Sequence, residues 1–228
     1  MVGRDELAQP RPWLQTLRAQ DIAVLQAQGL LGRRAVSIVS DNCWGAAAYR
    51  YLGLEYRSPF IGLFILPPCY TRMIERLDHF LGAALSFHAQ RRYRAVNASR
   101  NEGRLPLYPI GRLDDDIELH FLHYADPDAA SSSWNRRLGR VTDKVRIECS
   151  FSGRLWSADL VQRVLHAEPA SLVIQPNGRR VTGVLRVPRF TADGWRLLPS
   201  SVRRFDLPAW LVEGTVIPRT GDGKEVRG

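Results

Sequence analysis

The sequence of 228 residues contains only three cysteines, Cys43, Cys69 and Cys149. Their number is odd and no two of them form a CxxC motif, which argues against a disulfide framework and against a structural zinc site. Long hydrophobic runs are also missing, so the sequence predicts no transmembrane segment. Residues 1–13 contain acidic residues and prolines and lack the apolar centre of a signal peptide, which predicts a cytoplasmic protein.

Lysine is almost absent, since Lys144 and Lys224 are the only two, yet the formal net charge is +9. Arginine therefore supplies the basic excess, which favours an anionic partner such as a phosphorylated cofactor, an acidic polysaccharide or a membrane surface. No nucleic-acid-binding motif accompanies the arginines, so we expect no nucleic-acid partner. Residues 91–104 hold five arginines, a composition that fits a solvated loop or an anion-binding loop.

Strands and helices are predicted to alternate along most of the chain. An apolar run at 35–40 precedes small, helix-forming residues at 45–51, and a strand at 144–151 precedes a helix at 157–169. This order predicts an α/β fold with three layers and a mixed, mostly parallel sheet, followed by a β-rich carboxyl-terminal extension. Within that extension, Asn177-Gly178 predicts a β-hairpin.

The composition changes near residue 171, and three regions are predicted from it. Residues 1–34 form an amino-terminal helix and its lead-in, and residues 35–170 form the α/β core domain. Residues 171–228 form the β-rich, basic extension, which we expect to pack on the core.

Cys43 lies in the stretch DNCWG, between a predicted strand and a predicted helix. Ligands of open α/β sheets bind outside the carboxyl ends of the strands, and a helix amino terminus favours a thiolate. Cys43 is therefore a candidate nucleophile, and Asn42, Trp44 and Gly45 are candidate substrate contacts. The alternative is a thiol buried for packing.

A second set of candidates lies on the predicted strand at 117–124. On a strand, Glu118 and His120 share one face, whereas His123 lies on the other, so the two histidines are not expected to bind one metal. His123 is near the carboxyl end of its strand, as the thiol is, and is the favoured general base. Asp116 or Glu118 would orient the imidazole. His120, flanked by Glu118, is the competing base.

Further candidates for substrate or cofactor binding follow this strand. They are Tyr124, Trp134, Arg136 and Arg137. Arginines at a helix end can contact phosphate or carboxylate groups, although at least two of those in this helix also fit a surface role.

Four stretches carry a family resemblance. These are SIVSDNCWG, SPFIGLFILP, DDDIELHFLHY and SSSWNRRLGRV. Together they resemble a bacterial family of unknown function found in exopolysaccharide and capsule biosynthesis loci. The resemblance covers about residues 35–165 and implies an α/β fold and a role in surface-polysaccharide assembly or modification.

The Cys/His/acid set and this context favour an acyltransferase that modifies a sugar or related polar acceptor. The donor would be an acyl thioester of the coenzyme A type, with no tightly bound cofactor and no metal. A sugar-nucleotide-dependent glycosyltransferase and a non-catalytic module that binds an anionic glycan or a partner are the alternatives.

Overall fold

The structure, a computed structural model, describes residues 12–30, 36–93, 108–151, 155–179 and 181–219. Both helices and sheets are present, and the predicted α/β class is confirmed. In these ranges no helix is both long enough and apolar enough to cross a membrane. The part of the arginine-rich segment beyond residue 93 lies outside the described residues.

The helices and strands are numbered here in chain order. The helices are α1 (Pro12–Ala27), α2 (Trp44–Leu52), α3 (Pro67–Glu75), α4 (Leu77–Leu81), α5 (Pro127–Leu138), α6 (Ala158–Ala167), α7 (Gly194–Ser201) and α8 (Leu207–Glu213). The strands are β1 (Ser37–Ser40), β2 (Phe64–Ile65), β3 (Leu85–Phe87), β4 (Ile110–Leu113), β5 (Ile117–His120), β6 (Val145–Cys149), β7 (Leu172–Pro176) and β8 (Leu185–Val187).

The strands form two four-stranded sheets rather than one mixed sheet. One sheet has the order β1-β6-β7-β8 and is parallel throughout, and the other has the order β2-β5-β4-β3 and is antiparallel. A tight turn reverses the chain between β4 and β5, with positive φ angles at Asp114 (47°) and Asp115 (57°). The Asp116 amide donates to the Leu113 carbonyl across this turn, and two successive positive φ angles suit such a tight reversal, so β4 and β5 pair with each other as a hairpin.

The predicted hairpin at Asn177-Gly178 is wrong. β7 and β8 pair in parallel, with Ile174 opposite Leu185. The intervening chain returns past α6, where Gln162 donates a hydrogen bond to the carbonyl of Thr182. Strands β7 and β8 therefore extend the parallel sheet that β1 begins, and residues after 171 also supply α7 and α8.

Helices cover both faces of the parallel sheet, which makes its three layers. Neighbouring residues of β1 point to opposite sides: Ile38 packs into a core cluster with α2, α7 and α8, whereas Val39 packs into a cluster with α3, α6 and the antiparallel sheet. Each cluster is continuous and buried, so the fold rests on two hydrophobic cores separated by one sheet.

The two sheets meet just after β1, at the site discussed below. The amide of Ile65 in β2 donates to the carbonyl of Asp41, at 2.9 Å. β2 pairs in turn with the last residues of β5, Phe64 lying opposite His120. β5 ends there rather than at Tyr124 as predicted, because the amide of Leu122 turns back to the carbonyl of His120.

Candidate functional site

The turn between β1 and α2 is fixed by the side chain of Asn42. Its Oδ1 accepts the amide of Trp44, at 2.8 Å, and its Nδ2 donates to Ser150 Oγ, at 2.6 Å. The first contact satisfies a free amide of the helix amino terminus, and the second ties the turn to the end of β6. Asn42 is buried, so it holds the turn and does not face a ligand.

Cys43 and His123 come together at this turn. Cys43 is the residue before α2, and its Sγ lies 3.2 Å from His123 Nε2. The thiol is 8% exposed, whereas His123, on the turn after β5, is exposed. A thiol in contact with an accessible imidazole is the arrangement needed for proton transfer from sulfur to nitrogen.

The environment keeps the Cys43 thiol protonated. Burial raises its pKa to about 12, and the negative charges of Asp193 and Asp41 act in the same direction. The expected favouring of thiolate by the helix terminus is therefore outweighed. Removal of the proton must be coupled to a base, and His123 is within reach.

Asp193 and Gly194 were not predicted as part of this site. A Cβ on Gly194 would clash with the amide nitrogen of Trp44 and would lie 2.6 Å from the carbonyl carbon of Cys43. Only glycine allows α7 to begin so close to the turn. Asp193 precedes it and caps α7 by accepting the amide of Trp195. The sequence shows a capping Asp followed by Gly, but this local pattern does not indicate that the glycine packs against the distant turn at Cys43.

Tyr124 and Arg137 form one wall beside the pair. Tyr124 Oη donates to the carbonyl of Ile61, at 2.7 Å, and also accepts a short hydrogen bond from Arg137 Nη1. A Cβ on Gly62 would lie 3.2 Å from the Tyr124 ring and 3.4 Å from His123 Cβ. The backbone at 61–62 therefore packs directly against both residues.

His120 belongs to a different cluster from His123. Its Nε2 lies 3.1 Å from Glu118 Oε1, and its Nδ1 lies 3.2 Å from Tyr108 Oη. Both His120 and Glu118 are fully buried. Burial raises the pKa of Glu118, but contacts with His120, the Arg92 amide and the Arg112 charge outweigh burial, and the pKa lies below its usual value. The carboxylate is thus ionised and held by basic partners.

The two predicted orienting carboxylates are both engaged elsewhere. Glu118 contacts His120, and Asp116 accepts a hydrogen bond from Arg72 and lies 3.6 Å from Arg92. Asp116 precedes β5 whereas His123 follows it, so the strand separates them. Neither carboxylate orients His123 by the contacts described.

The two tryptophans predicted to bind substrate are core residues. Trp44 is 0% exposed; it donates to Ser201 Oγ and packs edge-on against Trp210. Trp134 is 2% exposed and packs against Phe60. These side chains are inaccessible to a ligand, which corrects the prediction.

Gly45 also differs from its predicted role. A Cβ on Gly45 would lie 3.0 Å from Ser40 Cβ, so this glycine allows α2 to approach β1 and not a ligand. Arg136 is exposed and, within the described part of the chain, its guanidinium contacts Ser133 Oγ at 3.4 Å. Arg137 is therefore the better placed of the two arginines.

A pair of buried carboxyl groups lies beneath the turn. Asp41 Oδ1 accepts the Ser150 amide, and Glu148 Oε2 accepts Ser40 Oγ at 2.5 Å, but Asp41 Oδ2 and Glu148 Oε1 accept no hydrogen bond. Burial raises the pKa of Asp41 to about 7, and burial plus the Asp41 charge raises that of Glu148 well above its usual value. The pair holds at least one proton at neutral pH.

A metal site and a second cleft are the other two candidate features. Within the described ranges, no three His, Cys, Asp or Glu side chains are grouped so as to hold a metal ion. A cleft of about 880 Å³ lies at the opposite, amino end of β6. Its basic residues Lys144 and Arg146 already bind carbonyls at the end of α8, Val212 among them, so they have a structural role there.

Comparison with known proteins identifies the family. Residues 15–154 match the model of a domain of unknown function, DUF1919, and the chain belongs to that family. The matched region includes Cys43, His120 and His123 but ends before Asp193. An uncharacterized protein of Haemophilus influenzae is 29% identical over 114 residues, which are 50% of this chain and 48% of that protein. The chain thus spans about half the length of this relative.

Proposed function

We propose that the protein is a cysteine-dependent acyltransferase that modifies a sugar or related polar acceptor. The observation that carries this proposal is the distance of 3.2 Å between Cys43 Sγ and His123 Nε2. The pair lies at the carboxyl end of a parallel sheet, where α/β proteins bind ligands. An exposed imidazole beside a nearly buried thiol gives the sulfur a base and the reacting groups a route from solvent.

The reaction has two halves. In the first, His123 Nε2 accepts the Cys43 proton as the sulfur attacks the thioester carbonyl carbon. The donor C–S bond breaks, and the imidazolium returns the proton to the leaving thiolate. In the second, His123 takes the proton of the acceptor hydroxyl as its oxygen attacks the acyl carbon. The bond to Cys43 breaks, and the sulfur regains a proton.

The raised pKa of Cys43 fits this cycle. A free thiolate at rest would react with any electrophile, whereas a protonated thiol reacts only when His123 removes the proton. The same preference for the neutral thiol makes the return of the proton in the second half favourable.

The family resemblance supports an acceptor from surface-polysaccharide or related biosynthesis as part of this proposal. The Cys/His pair and the basic side chains near it support a coenzyme A thioester as co-substrate, with no tightly bound cofactor, and the composition of the amino-terminal residues supports a cytoplasmic location. A sugar-nucleotide transferase is the weaker candidate, because Asp114, Asp115 and Asp116, which it would use, already pair with His79, Arg112 and Arg72. A non-catalytic module that binds an anionic glycan or a partner would use Cys43 only for packing.

Acylation of the protein tests the proposal. The full chain is incubated with acetyl and longer-chain acyl thioesters of coenzyme A, and peptides containing each cysteine are weighed by mass spectrometry. We expect an acyl adduct on Cys43, which is 8% exposed and contacts His123, with Cys69 (2% exposed) and Cys149 (0% exposed) as internal controls. The adduct should disappear on addition of an acceptor sugar. An active Cys43→Ser variant with full turnover would rule out covalent catalysis.

A further inference from the structure

A basic surface lies next to the Cys43–His123 pair. It is formed by the end of α5 and the chain after α2, and we call it the arginine patch. Its members are Arg57, Arg136, Arg137 and Arg140. Among the described residues, Glu55 is the one carboxylate that pairs with them, 2.9 Å from Arg140 and 3.6 Å from Arg57. Four guanidinium groups against one carboxylate leave a local excess of positive charge.

Arg137 is the fixed member of the patch. Its guanidinium lies over the Tyr56 ring, 5.4 Å from the ring centre, and its Nη1 binds Tyr124 Oη and the Ile61 carbonyl. Its Nε and Nη2 donate to no residue in the described part of the chain. A guanidinium with one edge anchored and the other open is suited to bidentate binding of a phosphate.

A continuous set of contacts leads from this group to the thiol. Arg137 binds Tyr124, whose ring packs against residue 62, and the same residue packs against His123. His123 contacts Cys43 Sγ. Burial is the largest cause of the raised pKa of Tyr124, and the nearby Cys43 acts in the same direction. Tyr124 and residue 62 therefore connect the arginine patch to the Cys43–His123 pair.

From this geometry we infer that the donor of the acyl group carries phosphate groups, and that the arginine patch binds them while the thioester reaches Cys43. The inference rests on the proposed function for the acyl transfer to Cys43. The binding of phosphate groups by the arginine patch does not depend on that function. Coenzyme A has the required chemistry, because its phosphates and its thioester lie at opposite ends of one flexible molecule.

Binding of free coenzyme A tests this inference without chemistry. Calorimetry uses the full chain carrying Cys43→Ser, at low ionic strength. The double variant Arg57→Gln/Arg140→Gln removes two half-exposed members and is expected to weaken binding by about tenfold or more. Glu55→Gln removes the competing carboxylate and is expected to tighten binding a few-fold. Arg18→Gln, on the exposed side of α1, makes a single-charge control and should change nothing.

A phosphate-free thioester separates this inference from the proposed function. N-acetylcysteamine thioesters should acylate Cys43 at the same rate in the double variant and in the parent. Coenzyme A thioesters should acylate the parent faster than N-acetylcysteamine thioesters do, and this difference should disappear in the double variant. The inference is overturned if coenzyme A fails to bind the parent, or binds the double variant as tightly. If binding depends on the arginines but Cys43 never becomes acylated, the inference holds and the proposed chemistry fails.

Discussion

His120 and His123 lie three residues apart in the sequence and have opposite surroundings. His120 is fully buried in the antiparallel sheet, between Glu118 and Tyr108. His123 is exposed on the turn that follows and contacts the thiol of Cys43. The first imidazole belongs to a closed polar cluster, whereas the second faces a reactive atom and solvent.

The difference arises where β5 ends. The amide of Leu122 bonds back to the carbonyl of His120, so the chain leaves the sheet before His123. The side chain that a longer strand would have placed on the opposite face is carried by the turn to the end of β1. A histidine near a carboxylate is thus not by itself the better base, because here both side chains are buried and hold each other in a closed cluster.

The largest effect is expected from His123→Gln. Loss of the general base should lower the rate of Cys43 acylation by about 10²- to 10⁴-fold. The free energy of unfolding should change little, because His123 is exposed. Rapid-quench mass spectrometry measures the rate, and urea denaturation measures the stability. An unchanged acylation rate would remove His123 from the reaction.

His120→Gln should have the reverse effect of His123→Gln: it should lower the stability and leave the acylation rate nearly unchanged. The change disturbs the partners of a buried, ionised Glu118, which should lower the free energy of unfolding by roughly 2–4 kcal/mol. Acylation per folded molecule should stay within a few-fold of the wild-type rate. A stable His120→Gln protein with greatly reduced acylation would instead make His120 the base.

The buried carboxyl groups of Asp41 and Glu148 extend the comparison to the pH dependence of stability. The pKa of Asp41 is about 7 in the folded protein and 3.8 ordinarily, so the folded state keeps a proton that the unfolded state has lost. Stability should therefore fall by roughly 1–3 kcal/mol as the pH rises from 4 to 7. Asp41→Asn removes this titration and should flatten the slope in a series of urea titrations.

The Glu118 cluster should behave in the opposite way. The pKa of Glu118 is below its ordinary value of 4.5, so its contribution to stability is present above that pH and is lost as the pH falls through the folded-state pKa. An Asp41→Asn protein whose stability declines as steeply as that of the wild type between pH 4 and 7 would contradict the assignment of the slope to Asp41.

Asp193→Asn should have the smallest effect. Removing this charge lowers the pKa of Cys43, so the rate of thiol alkylation above pH 8 should rise a few-fold. The amide can still accept the hydrogen bond that caps α7, and the melting temperature should hardly change. Arg196 pairs with Asp193 and its side chain is 80% exposed. Arg196→Gln should therefore lower the rate of thiol alkylation slightly.

Much of this arrangement was predictable from local patterns. Alternation places Glu118 and His120 on one face, and the apolar run before Cys43 marks a strand that leads into a helix. Both observations depend on neighbouring residues, which the sequence displays. The closeness of Cys43 and His123 was predicted from strand ends in one sheet, whereas in the structure the turn after His120 carries His123 from the antiparallel sheet to Cys43.

Contacts between distant segments were not predictable in this way. Gly194 packs on the turn at Cys43 from about 150 residues away, and no periodicity reports that pairing. Asn177-Gly178 signals a turn, but the turn alone does not determine whether β8 returns antiparallel or passes around α6 and pairs in parallel. Burial of Trp44 likewise depends on Ser201 and Trp210, which later elements supply.

The pH dependence of Cys43 alkylation tests the central claim most directly, because it needs no donor or acceptor. Peptide mass spectrometry would follow iodoacetamide labelling of the folded wild-type protein and of His123→Gln. If His123 is the base, wild-type labelling rises and then levels off once the imidazole has lost its proton. The variant lacks the base and keeps the burial that raises the pKa of the thiol, so its labelling should be slow and should keep rising with pH. Identical profiles that never level off would contradict the Cys43–His123 pair as the reactive unit.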